Sequence, residues 1–133
     1  MGTEIFKDRR RMERLLVVLV AAHTLCVGIF LLFFPVHAAR FGGWGDVRPA
    51  FFGSQAGAFH IVLAIGYLSE HFRHRGIALI VVAKVVAAAF LLAWTAIGDV
   101  PWAVPFSGAA DALMGLAVWG AHRAAGGGKE EPR

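Results

Sequence analysis

Four ionisable side chains interrupt otherwise apolar stretches of the sequence, and each belongs to a different stretch: His23, His60, Lys84 and Asp111. Counted from the basic end of its stretch, each lies about eight to eleven residues in, which in a helix is a depth of roughly 12–16 Å. Such a layer can donate hydrogen bonds to a polar ligand and move protons. Ionisable residues inside a membrane mark functional sites by default, so these four residues form the candidate site.

Lys84 and Asp111 carry opposite formal charges, and no other formally charged residue lies within the apolar stretches. A lysine at the centre of a bilayer costs about 2.5–3.5 kcal/mol on insertion scales, and a paired charge costs less than an unpaired one. The sequence therefore predicts a Lys84–Asp111 ion pair. Two interpretations stay open, because such a pair can serve a ligand or only fix helix register.

Three further residues are secondary candidates for ligand binding. Cys26 follows His23 by three residues and shares its helical face, while Gln55 lies near the outer end of the second stretch and Trp94 near the outer end of the third. For His23 a packed histidine bonded to a backbone carbonyl is the favoured interpretation. His60 continues the face of a G-x-x-x-G pair, Gly53 and Gly57, which favours a functional role against a neighbouring helix.

The types of these residues allow several chemistries. The layer could hold a lipophilic redox molecule such as a quinone, with His and Lys donating to a carbonyl oxygen. It could instead form the proton or solute path of a small transporter. Less favoured is axial ligation of a haem by His23 and His60. A purely structural role, as an accessory subunit of a larger membrane complex, is the remaining interpretation.

Other chemistries have little support in the sequence, and no enzymatic activity is assigned. The chain has a single cysteine, so it forms no internal disulfide and contains no Cys-based metal motif. Neither a Ser-His-Asp arrangement nor metal-ligand spacing is present, which argues against hydrolysis and against a metal site.

The elements that must position these residues are membrane helices. Of 133 residues, 58% are hydrophobic and 17% charged, with a mean hydropathy of +0.64, whereas a soluble domain carries about a quarter charged residues. The apolar stretches cover about residues 15–34, 50–68, 76–97 and 102–121, each near the ~20 residues that cross a bilayer. We expect one all-α domain over residues 1–125, an antiparallel four-helix transmembrane bundle, followed by a disordered tail over 126–133. The short connection between the second and third spans predicts that these two are antiparallel neighbours.

Basic residues are distributed unevenly among the connections between the spans. Ten lie in the N-terminal segment, the second connection and the C-terminal tail, and two lie in the other connections. The first set is Lys7, Arg9, Arg10, Arg11, Arg14, Arg73, Arg75, Arg123, Lys129 and Arg133, and the second is Arg40 and Arg48. By the positive-inside rule both termini are cytoplasmic, and we expect a multi-pass protein of the plasma (inner) membrane. Because topology accounts for the net charge of +4, nucleic acid is not an expected partner.

Two segments carry a resemblance to a known group. The glycine-bearing GSQAGAFHIVLAIG of the second span and DALMGL of the fourth resemble the DoxX/DoxD-like small four-span membrane proteins. The resemblance implies a quinone-linked role or an accessory role beside a soluble oxidoreductase, and it transfers no catalytic residue. The expected partners are thus the lipid bilayer and either a larger membrane complex or further copies of the chain, the latter because the G-x-x-x-G face could pack between protomers.

Overall fold

A computed structural model describes residues 2–126, and within that range the regular structure is entirely helical. Four helices are long and apolar enough to cross a membrane, which confirms the all-α expectation and indicates a multi-pass membrane protein. The helices are α1 (Gly2–Phe33), α2 (Pro35–Phe41), α3 (Phe51–His74), α4 (Ala78–Ile97) and α5 (Ala103–Ala124). Most of the predicted tail, residues 127–133, lies outside the described residues.

Two helices extend past the apolar spans seen in the sequence. Helix α1 begins at Gly2 and includes the basic N-terminal segment, while α3 continues to His74 and absorbs most of the polar connection after the second span. Polar residues do not stop a helix where water can solvate them, so apolar length alone underestimates helix length. Arg75, at φ 53°, ends α3 with a left-handed residue.

The connection between the first two spans is partly helical. Its first half forms the short helix α2, which has Pro35 at its first position, where a missing amide hydrogen costs nothing. The second half turns through Gly43 and Gly45, whose φ values of 91° and 70° favour glycine. The irregular part of this connection is therefore confined to the residues after Phe41.

The long helices associate as two close pairs. Helix α1 packs most extensively on α3, and α4 packs on α5. Helices α1 and α5 join the two pairs, while α3 and α4 make only a small contact. The second and third spans, predicted to be neighbours, are therefore in contact, but only near the short connection that joins them. A short connection brings only the adjoining ends of two helices together, and side-chain size decides how closely the rest approaches.

The largest fully buried side chains come one from each long helix and form a common layer toward the start of α1 and the end of α5: Val17, Tyr67, Ile80 and Val118. Polar contacts tie the helix ends beside this layer. Arg9 donates to the carbonyl oxygen of Ala124, and the imidazole Nδ1 of His122 lies 2.6 Å from the Glu13 carboxylate. These contacts fix the start of α1 against the end of α5.

A carboxylate from α3 caps the start of α4. Glu70 accepts hydrogen bonds from the backbone amides of Ala78 and Leu79, at 3.1 and 2.9 Å. The first amides of a helix have no partner within the helix, and its N-terminus carries partial positive charge, so an acidic side chain stabilises it. Gly76 leaves room for this cap, because a Cβ there would lie 2.7 Å from the carboxylate.

Candidate functional site

Lys84 of α4 and Asp111 of α5 form the ion pair that the sequence predicts. Their Nζ and Oδ1 atoms are 2.6 Å apart, and the side chains are 8% and 16% exposed. Gly115, one helical turn beyond Asp111, makes room for the lysine, because a Cβ at that position would lie 3.2 Å from the Lys84 Cβ. The pair thus couples α4 to α5 within their apolar segments, and the aspartate is its more accessible member.

An open groove runs along the outside of α4 and α5, and Asp111 forms part of its wall. The groove has a volume of about 440 Å³ and is lined by Val81, Val85, Ala88, Asp111, Ala112, Gly115, Leu116 and Trp119. Small-molecule sites are typically of this size, mostly apolar, and carry a few polar groups that orient the ligand. Here the lining is almost entirely apolar, and Asp111 is its one ionisable residue.

His60 faces the neighbouring α1, as its place on the glycine face predicts. Its Cβ would lie 3.0 Å from a Cβ added at Gly28. The imidazole is half-buried, and its Nδ1 lies 2.8 Å from the carbonyl oxygen of Ala56, one turn earlier on the same helix. As the Nδ1–H tautomer, the ring donates this bond and keeps Nε2 as an acceptor.

Four predicted ligand-binding residues are exposed in the structure: His23, Cys26, Gln55 and Trp94. Thr24, rather than His23, is the buried residue of that turn of α1. The described structure therefore joins Lys84 to Asp111 but does not gather all seven predicted residues into one buried cluster.

The two histidines considered as haem ligands point in different directions. His60 packs against the Gly28 side of α1, whereas His23 lies five residues earlier on that helix, about 140° around its axis. Across the described part of the chain, no group of three or more His, Cys, Asp or Glu side chains is placed to hold a metal ion.

The sequence does not reveal which polar residues of α1 become buried or which side chains they contact. Glu13 is 8% exposed and pairs with His122, more than a hundred residues later. The Thr24 hydroxyl is buried and has no hydrogen-bond partner within residues 2–126. For Trp119, by contrast, the sequence does indicate the position, since an aromatic residue near the end of a span is typical of the membrane interface.

A second ion pair lies at the other end of the molecule, in and after α2. Arg40 donates from Nε to the Asp46 carboxylate at 2.5 Å, and both side chains are more than half exposed. This hydrogen bond, more than the proximity of the charges, lowers the pKa of Asp46 and raises that of Arg40. The pair closes the loop between α2 and α3.

Comparison of the chain with protein-family models, with curated proteins and with solved structures finds no match.

Proposed function

We propose that this protein is a multi-pass plasma-membrane protein that binds a lipophilic small molecule in the groove beside Lys84 and Asp111. The observation that carries the proposal is the groove itself. It is an open, apolar groove of about 440 Å³ whose lining residues include Asp111, one member of a charge pair lying within apolar helices. A buried charge is costly, and one that also reaches a ligand-sized groove has a use beyond holding two helices together.

The proposed topology is an antiparallel bundle with both termini in the cytoplasm. Contacts along the first pair support it, because Gly28 of α1 meets Gly57, while Pro35, which follows α1 and begins α2, meets Gly53, earlier on α3. The concentration of basic residues at the end that holds the termini supports the cytoplasmic assignment.

The ligand class that fits best is a quinol or quinone. Asp111 would accept a hydrogen bond from a ring hydroxyl, while the Lys84 ammonium stabilises the carboxylate charge. The aliphatic walls and the indole of Trp119 would hold the ring and its tail. The resemblance to the DoxX/DoxD-like group implies the same class of ligand, or an accessory role in a quinone-linked complex.

Titration of a short-chain quinol into the protein, purified free of endogenous quinone in nanodiscs, tests the proposal. Binding should change the fluorescence of Trp119, and a Trp119→Phe variant identifies that signal. Ala112→Leu fills the groove and should weaken binding about five- to a hundredfold, the equivalent of about 1–3 kcal/mol of overpacking. Ala117→Leu, on the same helix but outside the groove, is the matched control and should bind like the wild type.

The result decides between the proposal and its alternatives. Wild-type protein that does not respond to the quinol, or Ala112→Leu protein that binds it unchanged, overturns the proposal. Proton or solute flux in liposomes that Asp111→Asn abolishes without unfolding would assign the ion pair to transport. Copurification with a larger membrane complex, with no ligand bound, would assign the protein an accessory role.

A further inference from the structure

The start of α1 is too long to lie within a bilayer together with the rest of that helix. With 32 residues, α1 is about 48 Å long, whereas a hydrocarbon core is about 30 Å thick. Because Phe33 and Pro35 mark the other end, the excess of roughly twelve residues falls at the N-terminal end. This segment therefore stands at the level of the lipid headgroups and beyond.

Basic residues of this segment form a stripe on one face. Lys7, Arg10, Arg11 and Arg14 are spaced by three, four and seven residues, so they share a face of the helix, and all are exposed. The guanidinium of Arg14 lies 5.2 Å from the centre of the Phe72 ring on α3. This contact places the stripe next to the end of α3, where two more exposed arginines follow, Arg73 and Arg75.

Two of the acidic side chains near the stripe are engaged elsewhere. Glu13 turns toward α5 and pairs with His122, and Glu70 uses both carboxylate oxygens to cap α4. Glu4 lies 3.7 Å from Lys7, the outermost member of the stripe. Within residues 2–126, Asp8 is the remaining acid of this segment, so among the described residues the arginine stripe keeps an excess of positive charge.

From this arrangement we propose that Arg10, Arg11 and Arg14, together with Arg73 and Arg75, bind the phosphate of an anionic phospholipid headgroup. Guanidinium groups bind phosphate oxygens through two parallel hydrogen bonds, and basic residues beside a membrane helix attract anionic lipid with about 1 kcal/mol each. The site is independent of the groove on α4 and α5 and goes beyond the proposed function. Its source of phosphate is the adjoining leaflet, which carries headgroups at the depth of these side chains.

Native mass spectrometry of delipidated protein, titrated with phosphatidylglycerol or with phosphatidylcholine, tests this site. The wild type should bind phosphatidylglycerol more tightly, and the triple variant Arg10→Gln/Arg11→Gln/Arg14→Gln should lose the preference. Should the triple variant not fold, Arg11→Gln alone should weaken phosphatidylglycerol binding about fivefold, with phosphatidylcholine binding unchanged.

Arg123→Gln is the matched control. It removes one guanidinium from the same end of the bundle, but Arg123 stacks on Trp119 at 4.3 Å and lies on α5, away from the stripe. Its preference for phosphatidylglycerol should equal that of the wild type. Equal binding of the two lipids by the wild type overturns the proposal, as does an equal loss in Arg123→Gln and Arg11→Gln. Displacement of phosphatidylglycerol by inorganic phosphate alone would identify a free-phosphate site and overturn the assignment to lipid.

Discussion

Helices α1 and α3 approach each other through glycines, whereas α4 and α5 are joined by the ion pair of Lys84 and Asp111. In the first pair a Cβ on Gly57 would overlap backbone atoms of Leu32 and Gly28, so the helices touch main chain to main chain. In the second pair a long side chain fills the space between the helices, and a groove opens beside it. Small residues let the backbones of α1 and α3 meet. On α5, Gly108 and Gly115 face side chains of α4 instead of its backbone, and the groove lies beside the ion pair.

Removal of one member of the ion pair has the largest expected effect. Asp111→Leu leaves Lys84 buried without a counter-ion and should lower the free energy of unfolding by about 3–5 kcal/mol. The double variant Lys84→Met/Asp111→Leu should recover most of that loss, because apolar residues of similar size replace both charges. Unfolding in mixed detergent micelles measures both variants. A single variant no less stable than the double one would mean that the charges are not coupled.

The double variant also sharpens the functional comparison. If the pair serves only to join α4 to α5, the double variant should bind the quinol as the wild type does. If Asp111 orients the ligand, the double variant should fold but lose the affinity that the carboxylate provides.

Addition of one methyl group should affect the two helix pairs differently. Gly57→Ala meets the backbone of Leu32 and Gly28, which cannot move aside, and should cost about 1–3 kcal/mol. Gly115→Ala meets the Lys84 Cβ at 3.2 Å, where a shift of a few tenths of an ångström relieves the contact, so it should cost less. The same unfolding assay compares both.

Gly120→Ala is the control for this comparison, because a Cβ there has open space around it. It should be neutral or slightly stabilising, since alanine is favoured over glycine in a helix interior by about 0.5–1 kcal/mol. If Gly57→Ala and Gly115→Ala lower the free energy of unfolding equally, the α1/α3 pair is no more closely packed than the α4/α5 pair.

The sequence predicts what each helix contains better than which way it faces. The Lys84–Asp111 pair could be predicted because two opposite charges in apolar spans have no other partners of that kind. The glycine face of α3 could be predicted as well, but its partner α1 could not. A helix that is apolar all round has no polar face to mark its exposed side, so the exposure of His23 and Cys26 is not readable from periodicity. Contacts such as that between Glu13 and His122 depend on which helices become neighbours.

Removal of a hydroxyl hydrogen bond between α1 and α3 should lower stability by less than Gly57→Ala does. Ser54 donates to the carbonyl oxygen of Leu32 at 3.1 Å, and Ser54→Ala should cost about 0.6 kcal/mol, the average for such bonds between membrane helices. Thr95→Val is the control, because the Thr95 hydroxyl donates to Leu91 of its own helix and joins no pair. If Thr95→Val lowers the free energy of unfolding as much as Ser54→Ala does, the hydrogen bond from Ser54 to Leu32 does not contribute to the α1/α3 contact.

The exposed pair of Arg40 and Asp46 should have the smallest effect, and it shows what burial adds to a charge pair. Because Arg40 lowers the pKa of Asp46 below 3.8, the pair contributes to stability above that pH and loses its contribution as the pH falls through the lowered value. Titration of the Asp46 carboxyl by NMR should find the lowered pKa, and Arg40→Gln should return it toward the ordinary value. Salt screens exposed charges, so added salt should reduce this shift, while the coupling of Lys84 to Asp111 should change little. An Asp46 pKa unaffected by Arg40→Gln would contradict the pairing. If added salt weakens both ion pairs equally, Lys84 and Asp111 are no better shielded from solvent than Arg40 and Asp46.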